Sequence, residues 1–173
     1  FGTAFHATNP PVATTYAIPK KDRDMGIRRY GFHGLSYAWI VTQFEDRLPD
    51  RLLAFHLGSG ASLCAIHKGK SVATSMGYSP LDGLTMGTRS GAIDGMAVLR
   101  MAEIHGAAEA SRRLNKDSGL KGLGGASDMR LLLAADTDQA SFAVDHFCYW
   151  AARHAGSAVV AMGGLDAVAF TGG

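Results

Sequence analysis

Two apolar runs separated by a short glycine turn constrain the fold of this chain more than any other feature. Leu52–Leu57 is almost entirely apolar, as expected of a buried strand, and 61–67 is a second run rich in small and apolar residues. Gly58-Ser-Gly60 predicts a turn between them, and Lys68-Gly-Lys70 predicts another turn into 71–75. We therefore predict a three-stranded β-meander with a glycine turn at its first corner.

The rest of the chain predicts helices and one more strand. Ser36 is expected to cap a helix through about Arg47, and Ser127 to cap a short helix through about Ala135, after a glycine-rich connection over 120–126. Further helices are predicted from apolar spacing at 93–105, 107–115 and 138–162. Ala167–Phe170 is then expected to be a short buried strand. Strands followed by helices and a returning strand indicate an α/β fold.

Residues 1–29 show no sustained period and predict irregular connecting structure around a short extended piece near 14–18. The chain has 173 residues, of which 47% are hydrophobic, enough for one compact domain with a core. It starts on Phe1 rather than methionine and stops just after a strand has entered a glycine turn. We therefore expect a fragment of a longer protein, organised as a single partial domain.

Composition argues against several classes of function. A formal net charge of +2 without a basic tract does not favour nucleic acid as a partner. No apolar run reaches bilayer length, so no membrane contact is expected. Cys64 and Cys148 lie in apolar sequence without metal-ligand spacing, which predicts reduced core residues in a cytoplasmic protein. The histidines form no paired ligand motif, so no metal ligands are predicted.

Four corners rich in glycine carry the chemistry that the sequence suggests. Glycine at a strand end lets backbone N–H groups approach phosphate oxygens, because no side chain intervenes. Two of the corners hold a histidine, one encloses an arginine, and one ends a strand. They are Phe32-His-Gly34, His56–Gly60, Met86–Gly91 and Phe170-Thr-Gly-Gly173. Together they favour a cleft that binds a polyanion.

Arg89 lies on a backbone of glycine and hydroxyl residues within 84–91. A guanidinium there offers a fixed fork of charged donors that matches the oxygens of a phosphoryl group. The alternative is an ordinary glycine-rich loop with a solvated arginine.

These motifs identify the chain as similar to the acetate/propionate kinase family. The matching segments run through the chain in family order: Phe1–His6, Arg29–Gly34, His56–Gly60, Ser79–Gly91, Asn115–Asp128 and Gly163–Gly173. The match covers less than half of a family member. The resemblance implies an actin-like ATPase (acetate and sugar kinase/Hsp70/actin, RNase-H-like) fold, in part, with residues 1–173 mostly from the C-terminal nucleotide-binding domain.

The resemblance also implies an activity, which is the reversible, in-line phosphorylation of acetate or propionate by ATP, with Mg²⁺. The expected partners are the carboxylate substrate, acetyl phosphate, ADP and a second copy of the chain in a homodimer. The alternative is a catalytically inactive piece that only binds nucleotide or dimerises, and we expect the isolated chain to be inactive.

Site residues follow from the resemblance position by position. Arg89 and His33 match the family's contacts to the transferred phosphoryl group, and Phe32 and Pro80 match residues that line the acyl pocket. The matches to nucleotide-contacting positions are His56, Gly58, Ser59, Gly60, Asp128, Met129, Arg130, Gly172 and Gly173. His33 could instead be a helix-entry histidine bonded to the backbone, Phe32 and Pro80 plain core and turn residues, and Asp128 a first-turn acid.

The chain departs from the family pattern at several positions. Gly2 lies where the family has an aspartate tied to Mg²⁺ and catalysis, and a glycine has no side chain to bind a cation. Ser59 replaces a common asparagine. Ala92 and Gly95 replace an acid and a proline. Gly2 predicts impaired catalysis unless the residue was altered at the edge of the sequence, whereas Ser59 keeps a hydrogen-bonding group and Ala92 and Gly95 are milder departures.

Overall fold

The predicted β-meander forms three of the four strands of one sheet in the computed structural model, which describes residues 2–172. The strands are β1 (Arg51–Leu57), β2 (Ala61–His67), β3 (Lys70–Thr74) and β4 (Ala167–Thr171), in the order β3-β2-β1-β4. β2 and β3 pair antiparallel, whereas β4 pairs parallel to β1 with Leu52 opposite Ala167 and His56 opposite Thr171. The carboxyl ends of β1 and β4 therefore lie side by side.

Eight α-helices are described among residues 2–172. They are α1 (Pro11–Thr14), α2 (Lys20–Asp24), α3 (Gly34–Gln43), α4 (Gly95–His105), α5 (Ala107–Lys116), α6 (Gly119–Gly124), α7 (Met129–Ala134) and α8 (Asp138–Met162). Short 3₁₀ turns span Ala4–Thr8 and Glu45–Arg47. Within the described residues, no helix combines the length and the apolarity that crossing a membrane requires.

The chain divides into two compact units. The first comprises residues 1–58, 62–80 and 153–173, and the second comprises residues 59–61 and 81–152. The core of the first unit forms where α3 packs on the sheet, through the buried side chains of Tyr37, Ile40, Leu52, Ala54, Cys64 and Ile66. The core of the second unit contains Leu120, Leu132, Ala140 and Ala143. The assignment of the chain to one partial domain stays a prediction.

Several helix starts differ from the sequence prediction. Ser36 lies inside α3 rather than at its N-cap, because the helix already begins after His33. Asp128, not Ser127, caps α7, and its carboxylate accepts the Arg130 N–H at 2.9 Å. The glycine-rich connection over 120–126 is largely α6, since Leu120 is buried and its N–H bonds the Met86 carbonyl at 2.8 Å.

The structure corrects three further predictions, on β4, on Cys148 and on residues 14–18. β4 is not buried: Phe170 is 70% exposed, and Val168 is also exposed. Cys148 is exposed on α8, whereas Cys64 is fully buried and burial raises the pKa of its thiol to about 12. None of the α4 side chains is buried despite their helical spacing. Residues 14–18 form a helix end and bends rather than an extended piece.

Candidate functional site

His33 occupies a constrained position at the start of α3. Its backbone is left-handed, with φ 57°, a conformation that costs free energy for a residue with a side chain. The neighbouring residues leave little freedom there: Gly34 N–H donates to the Gly2 carbonyl at 2.7 Å, and the buried His6 ring lies 2.8 Å from the Phe32 carbonyl through Nε2. Unusual backbone held by such contacts is typical of functional positions.

The His33 ring stacks on the ring of His56, which lies near the end of β1. The ring centroids are 4.0 Å apart and the planes differ by 27°. Each ring is bonded at Nδ1 to a serine: His33 to Ser62 Oγ at 2.8 Å and His56 to Ser36 Oγ at 3.0 Å. Burial lowers the pKa of His56 below its ordinary value. The two histidines predicted from different motifs thus form one ring pair.

Two of the predicted glycines meet where β1 and β4 end. Gly172 has φ +98°, and a Cβ there would lie 2.8 Å from the backbone nitrogens of Leu57 and Gly58. Only glycine fits this close approach, which brings the backbone of both strand ends together. Ligands of open α/β sheets bind outside the carboxyl ends of the parallel strands. Gly173, the other predicted glycine of this corner, lies outside the described residues.

In the second unit, backbone hydrogen bonds hold the loop of Arg89 on several sides. Met86 N–H donates to the Arg89 carbonyl at 3.2 Å, Ser118 N–H to the Thr88 carbonyl at 3.0 Å, and Ser90 N–H to the Leu114 carbonyl at 3.1 Å. Gly119, with φ +62°, packs so closely that a Cβ there would collide with the Met86 and Arg89 carbonyl oxygens. The half-buried Arg89 is therefore presented by a fixed loop rather than a loose one.

Gly87 of the same loop joins two other predicted segments. Its N–H donates to the Ser59 carbonyl at 3.3 Å, and a Cβ on Gly87 would lie 3.1 Å from the Ser127 carbonyl oxygen. Ser127 directly precedes Asp128. The second unit therefore brings together the exposed Ser59 of the glycine corner, the arginine loop and the start of α7.

Asp128 and Arg130 form an ion pair at the start of α7. Arg130 Nη2 donates to Asp128 Oδ2 at 2.6 Å, and this hydrogen bond is the main cause of the lowered pKa of Asp128. Because the carboxylate also caps the helix, Asp128 has the stabilising role that its position predicts. The Arg130 side chain is 89% exposed.

The remaining predicted residues are partly or fully accessible to solvent. Phe32, Pro80, Gly60 and Met129 are each half-buried. Gly2 is exposed, and a Cβ there would meet no heavy atom within 4 Å. Across residues 2–172, no group of three or more His, Cys, Asp or Glu side chains is arranged to hold a metal ion.

Sequence reasoning missed the residues that support this site. Ser36, Ser62 and Tyr37 orient the histidines, and Gly119 fixes the arginine loop. Gly119, the glycine that starts α6, could have been singled out in the sequence as a position of close backbone approach. A single serine in a strand, such as Ser62, carries no such signal.

The architecture is that of an actin-like ATPase fold, present in part. The chain belongs to the acetokinase family, whose model matches residues 1–173. It is 47% identical to an acetate kinase of Methylocella silvestris and 46% identical to one of Rickettsia felis, in each case over 100% of this chain.

Solved structures agree with this assignment. An acetate kinase from Entamoeba histolytica matches 98% of this chain with a TM-score of 0.94 and 37% identity. A propionate kinase from Francisella tularensis subsp. tularensis matches 100% of it with a TM-score of 0.92 and 39% identity. The chain spans about half of these proteins: 45% of the Methylocella relative, 47% of the Rickettsia relative and 47% of each of the two structures.

Proposed function

We propose that this chain is the central and early C-terminal part of an acetate or propionate kinase. The observation that carries the proposal is the stacking of His33 on His56, because it joins two family motifs that are separate in sequence. The proposed reaction is reversible transfer of the γ-phosphoryl group of ATP to the carboxylate of acetate or propionate. A carboxylate oxygen forms a bond to phosphorus as the bond to the ADP oxygen breaks, which gives an acyl phosphate.

In this proposal the protein acts by positioning and by electrostatic stabilisation. Charge spreads over the three equatorial oxygens of the phosphoryl group in the transition state, so fixed donors accelerate the transfer. Arg89 provides a charged fork for these oxygens, and His33 provides a hydrogen bond. Phe32 and Pro80 line the pocket for the short acyl chain.

The nucleotide is assigned to the glycine corners. The backbone of Gly172 approaches the nitrogens of Leu57 and Gly58 at the carboxyl ends of β1 and β4, and neither glycine carries a side chain, which fits a phosphate chain. The family resemblance assigns the phosphate chain to His56, Gly58, Ser59 and Gly60, the loop by the nucleotide to Gly172 and Gly173, and the adenosine to Asp128, Met129 and Arg130.

The residues present do not fit a protein-bound magnesium ion. The position of the family's aspartate is Gly2, and residues 2–172 hold no cluster of metal-binding side chains. Any Mg²⁺ that accompanies ATP would depend on phosphate oxygens and water for ligands.

The test is an acetyl phosphate assay on a polypeptide of the family's full length that contains this segment. Arg89→Ala should lower kcat/KM by about 10²–10³-fold, the scale on which loss of one transition-state donor is felt. Arg100→Ala is the matched control, because Arg100 is an exposed arginine on α4 that pairs with Glu103. A loss of less than tenfold for Arg89→Ala would overturn the role assigned to this residue.

A second function is supported by Gly2, which offers no carboxylate at the position of the family's aspartate. In this alternative the chain binds nucleotide or associates with itself without catalysis, and the exposed apolar side chains Met96, Leu99 and Ile104 of α4 offer a contact surface. Under both proposals we expect the protein to form homodimers and to be located in the cytoplasm. Gel filtration of the chain with and without ADP detects self-association, and calorimetric titration of ADP detects nucleotide binding. Together they distinguish the two possibilities.

A further inference from the structure

Two buried hydroxyl groups form a series of hydrogen bonds that ends on His33. Ser62 and Tyr37 are both fully buried, on β2 and α3. Ser62 Oγ lies 2.8 Å from His33 Nδ1, and the Tyr37 hydroxyl is hydrogen-bonded to Ser62 Oγ. Tyr37 is also tied to His33 through the backbone, because its N–H donates to the His33 carbonyl at 3.2 Å. Neither hydroxyl has a part in the proposed phosphoryl transfer.

The number of protons available decides which group donates in each of these hydrogen bonds. Burial raises the pKa of Tyr37, so its hydroxyl keeps its proton. Ser62 Oγ is the acceptor described for this hydroxyl among residues 2–172, so the Tyr37 proton is donated to Ser62 Oγ. Ser62 has only one proton, which it donates to His33 Nδ1.

The reverse direction leaves one group unsatisfied. If His33 Nδ1 donated to Ser62, the serine proton would go either to Tyr37, which leaves the phenol proton in need of another acceptor, or to a third group. Among residues 2–172 no acceptor other than Ser62 is described for the Tyr37 hydroxyl, and none other than His33 Nδ1 and Tyr37 for the Ser62 hydroxyl. A buried donor without a partner costs free energy, so the first direction is favoured.

We propose that Ser62 and Tyr37 are positioning residues that hold His33 in the tautomer with its proton on Nε2. An Nδ1 atom that accepts from Ser62 has no proton, so the neutral ring carries its proton on the other nitrogen. This tautomer presents a hydrogen-bond donor to a phosphoryl oxygen, whereas the other would present a lone pair to an anion. Donation from His33 Nε2 to a phosphoryl oxygen rests on the function proposed above. The tautomer itself follows from the hydrogen bonds alone.

The test is NMR spectroscopy of the chain with ¹⁵N-labelled histidine, recorded at neutral pH and without nucleotide. Long-range correlations within the ring distinguish a protonated nitrogen from a bare one, and His33→Asn assigns the signals. His33 should show bare Nδ1 and protonated Nε2. In Ser62→Ala the ratio of tautomers should move about fivefold toward Nδ1–H, the effect of one ordinary hydrogen bond. Ser62→Thr restores the hydroxyl and should restore the ratio.

Tyr37→Phe and Ser71→Ala complete the design. Tyr37→Phe removes only a hydroxyl from the buried ring and should shift the same ratio in the same direction. Ser71→Ala is the matched control, because Ser71 is also fully buried but lies 2.8 Å from His6 Nδ1. It should alter the signals of His6 and leave those of His33 unchanged.

Two results would overturn the proposal. One is a wild-type His33 with its proton on Nδ1. The other is an unchanged His33 ratio in both Ser62→Ala and Tyr37→Phe. Because the spectra report ring protons without any reaction, failure of the kinase assay and failure of this proposal are separate outcomes.

Discussion

The rings of His33 and His56 stack with their centroids 4.0 Å apart. Two imidazolium charges at that distance would repel by about 4 kcal/mol at an effective dielectric constant of about 20. Simultaneous protonation of both rings is therefore strongly disfavoured. The pKa of His56, lowered by burial, acts in the same direction. The pair thus keeps at least one neutral ring, and which of its nitrogens holds the proton decides whether that ring donates or accepts a hydrogen bond there.

Replacing Gly119 should disturb the loop of Arg89 without touching the arginine. Gly119→Ala places a methyl group against the Met86 and Arg89 carbonyl oxygens at a φ of +62°. We expect a loss of about 1–3 kcal/mol in the free energy of unfolding, measured by urea denaturation. Gly95→Ala, where a Cβ meets nothing within 4 Å, is the control. Equal stability of both variants would contradict the close packing of this loop.

The approach of Gly172 to β1 predicts a loss of nucleotide binding in Gly172→Ala. The added methyl group would meet the Leu57 and Gly58 nitrogens at 2.8 Å, so both strand ends must move. We expect the ADP affinity, measured by calorimetry, to fall at least about tenfold, the loss that 1.4 kcal/mol of binding free energy represents.

Gly156→Ala is the matched control for this variant. Gly156 lies in α8 with open space around its Cβ position, so the substitution should instead stabilise the chain by about 0.5–1 kcal/mol. It should leave ADP affinity unchanged. Loss of affinity in Gly156→Ala as well would mean that the assay reports folding rather than the cradle.

Three histidines predict how stability depends on pH. Burial lowers the pKa of His6, His56 and His146 relative to the unfolded chain, so between their folded values and about 6.5 the unfolded chain binds more protons. Their contribution to stability is therefore complete above about pH 6.5 and is lost as the pH falls below it.

Urea denaturation at pH 7.5 and pH 5.5 measures this dependence. His6→Gln should reduce the loss of stability between the two values, because it removes the most deeply buried ring. His105→Gln, at an exposed position at the end of α4, should leave that loss unchanged. Greater stability of the wild-type chain at pH 5.5 would contradict the prediction.

Gly2→Asp should be tolerated and should increase the effect of Mg²⁺ on ADP binding. The Cβ position is open, and the Gly2 carbonyl is 2.7 Å from the Gly34 nitrogen, directly beside His33. A carboxylate there supplies the kind of ligand that Mg²⁺ prefers. Calorimetric titration of ADP with and without Mg²⁺ measures the effect. Gly2→Asn has the same size without the charge, and equal behaviour of the two variants would refute the prediction.

Long, strongly patterned elements were predictable from the sequence. The bounds of α8 and β2 agree with the prediction, and β1 and β3 begin within one residue of it. Their patterns are local, since apolar spacing and bounding glycines lie within the element itself. The acetate/propionate kinase resemblance is confirmed by the family match over residues 1–173. The roles assigned to individual site residues stay predictions.

The errors occurred where tertiary contacts override local signals. α6 contains three glycines and has low intrinsic helix propensity, yet burial of Leu120 and hydrogen bonds to the arginine loop stabilise it. Ser127 and Asp128 are both good caps, and the backbone path rather than residue type selects Asp128. The exposure of the β4 side chains depends on what covers the faces of the sheet, which the sequence of the strand does not encode.

The sequence by itself determined the α/β class, the glycine corners and the family, because these depend on residue type and local spacing. Only the tertiary structure decided that His33 stacks on His56 and is bonded to Ser62, which lies 29 residues away. That contact exists because α3 packs across β1 and β2, so residues distant in sequence are placed within hydrogen-bond distance. Hydrogen bonds require such placement to a few tenths of an ångström, and no periodic pattern in a sequence specifies it.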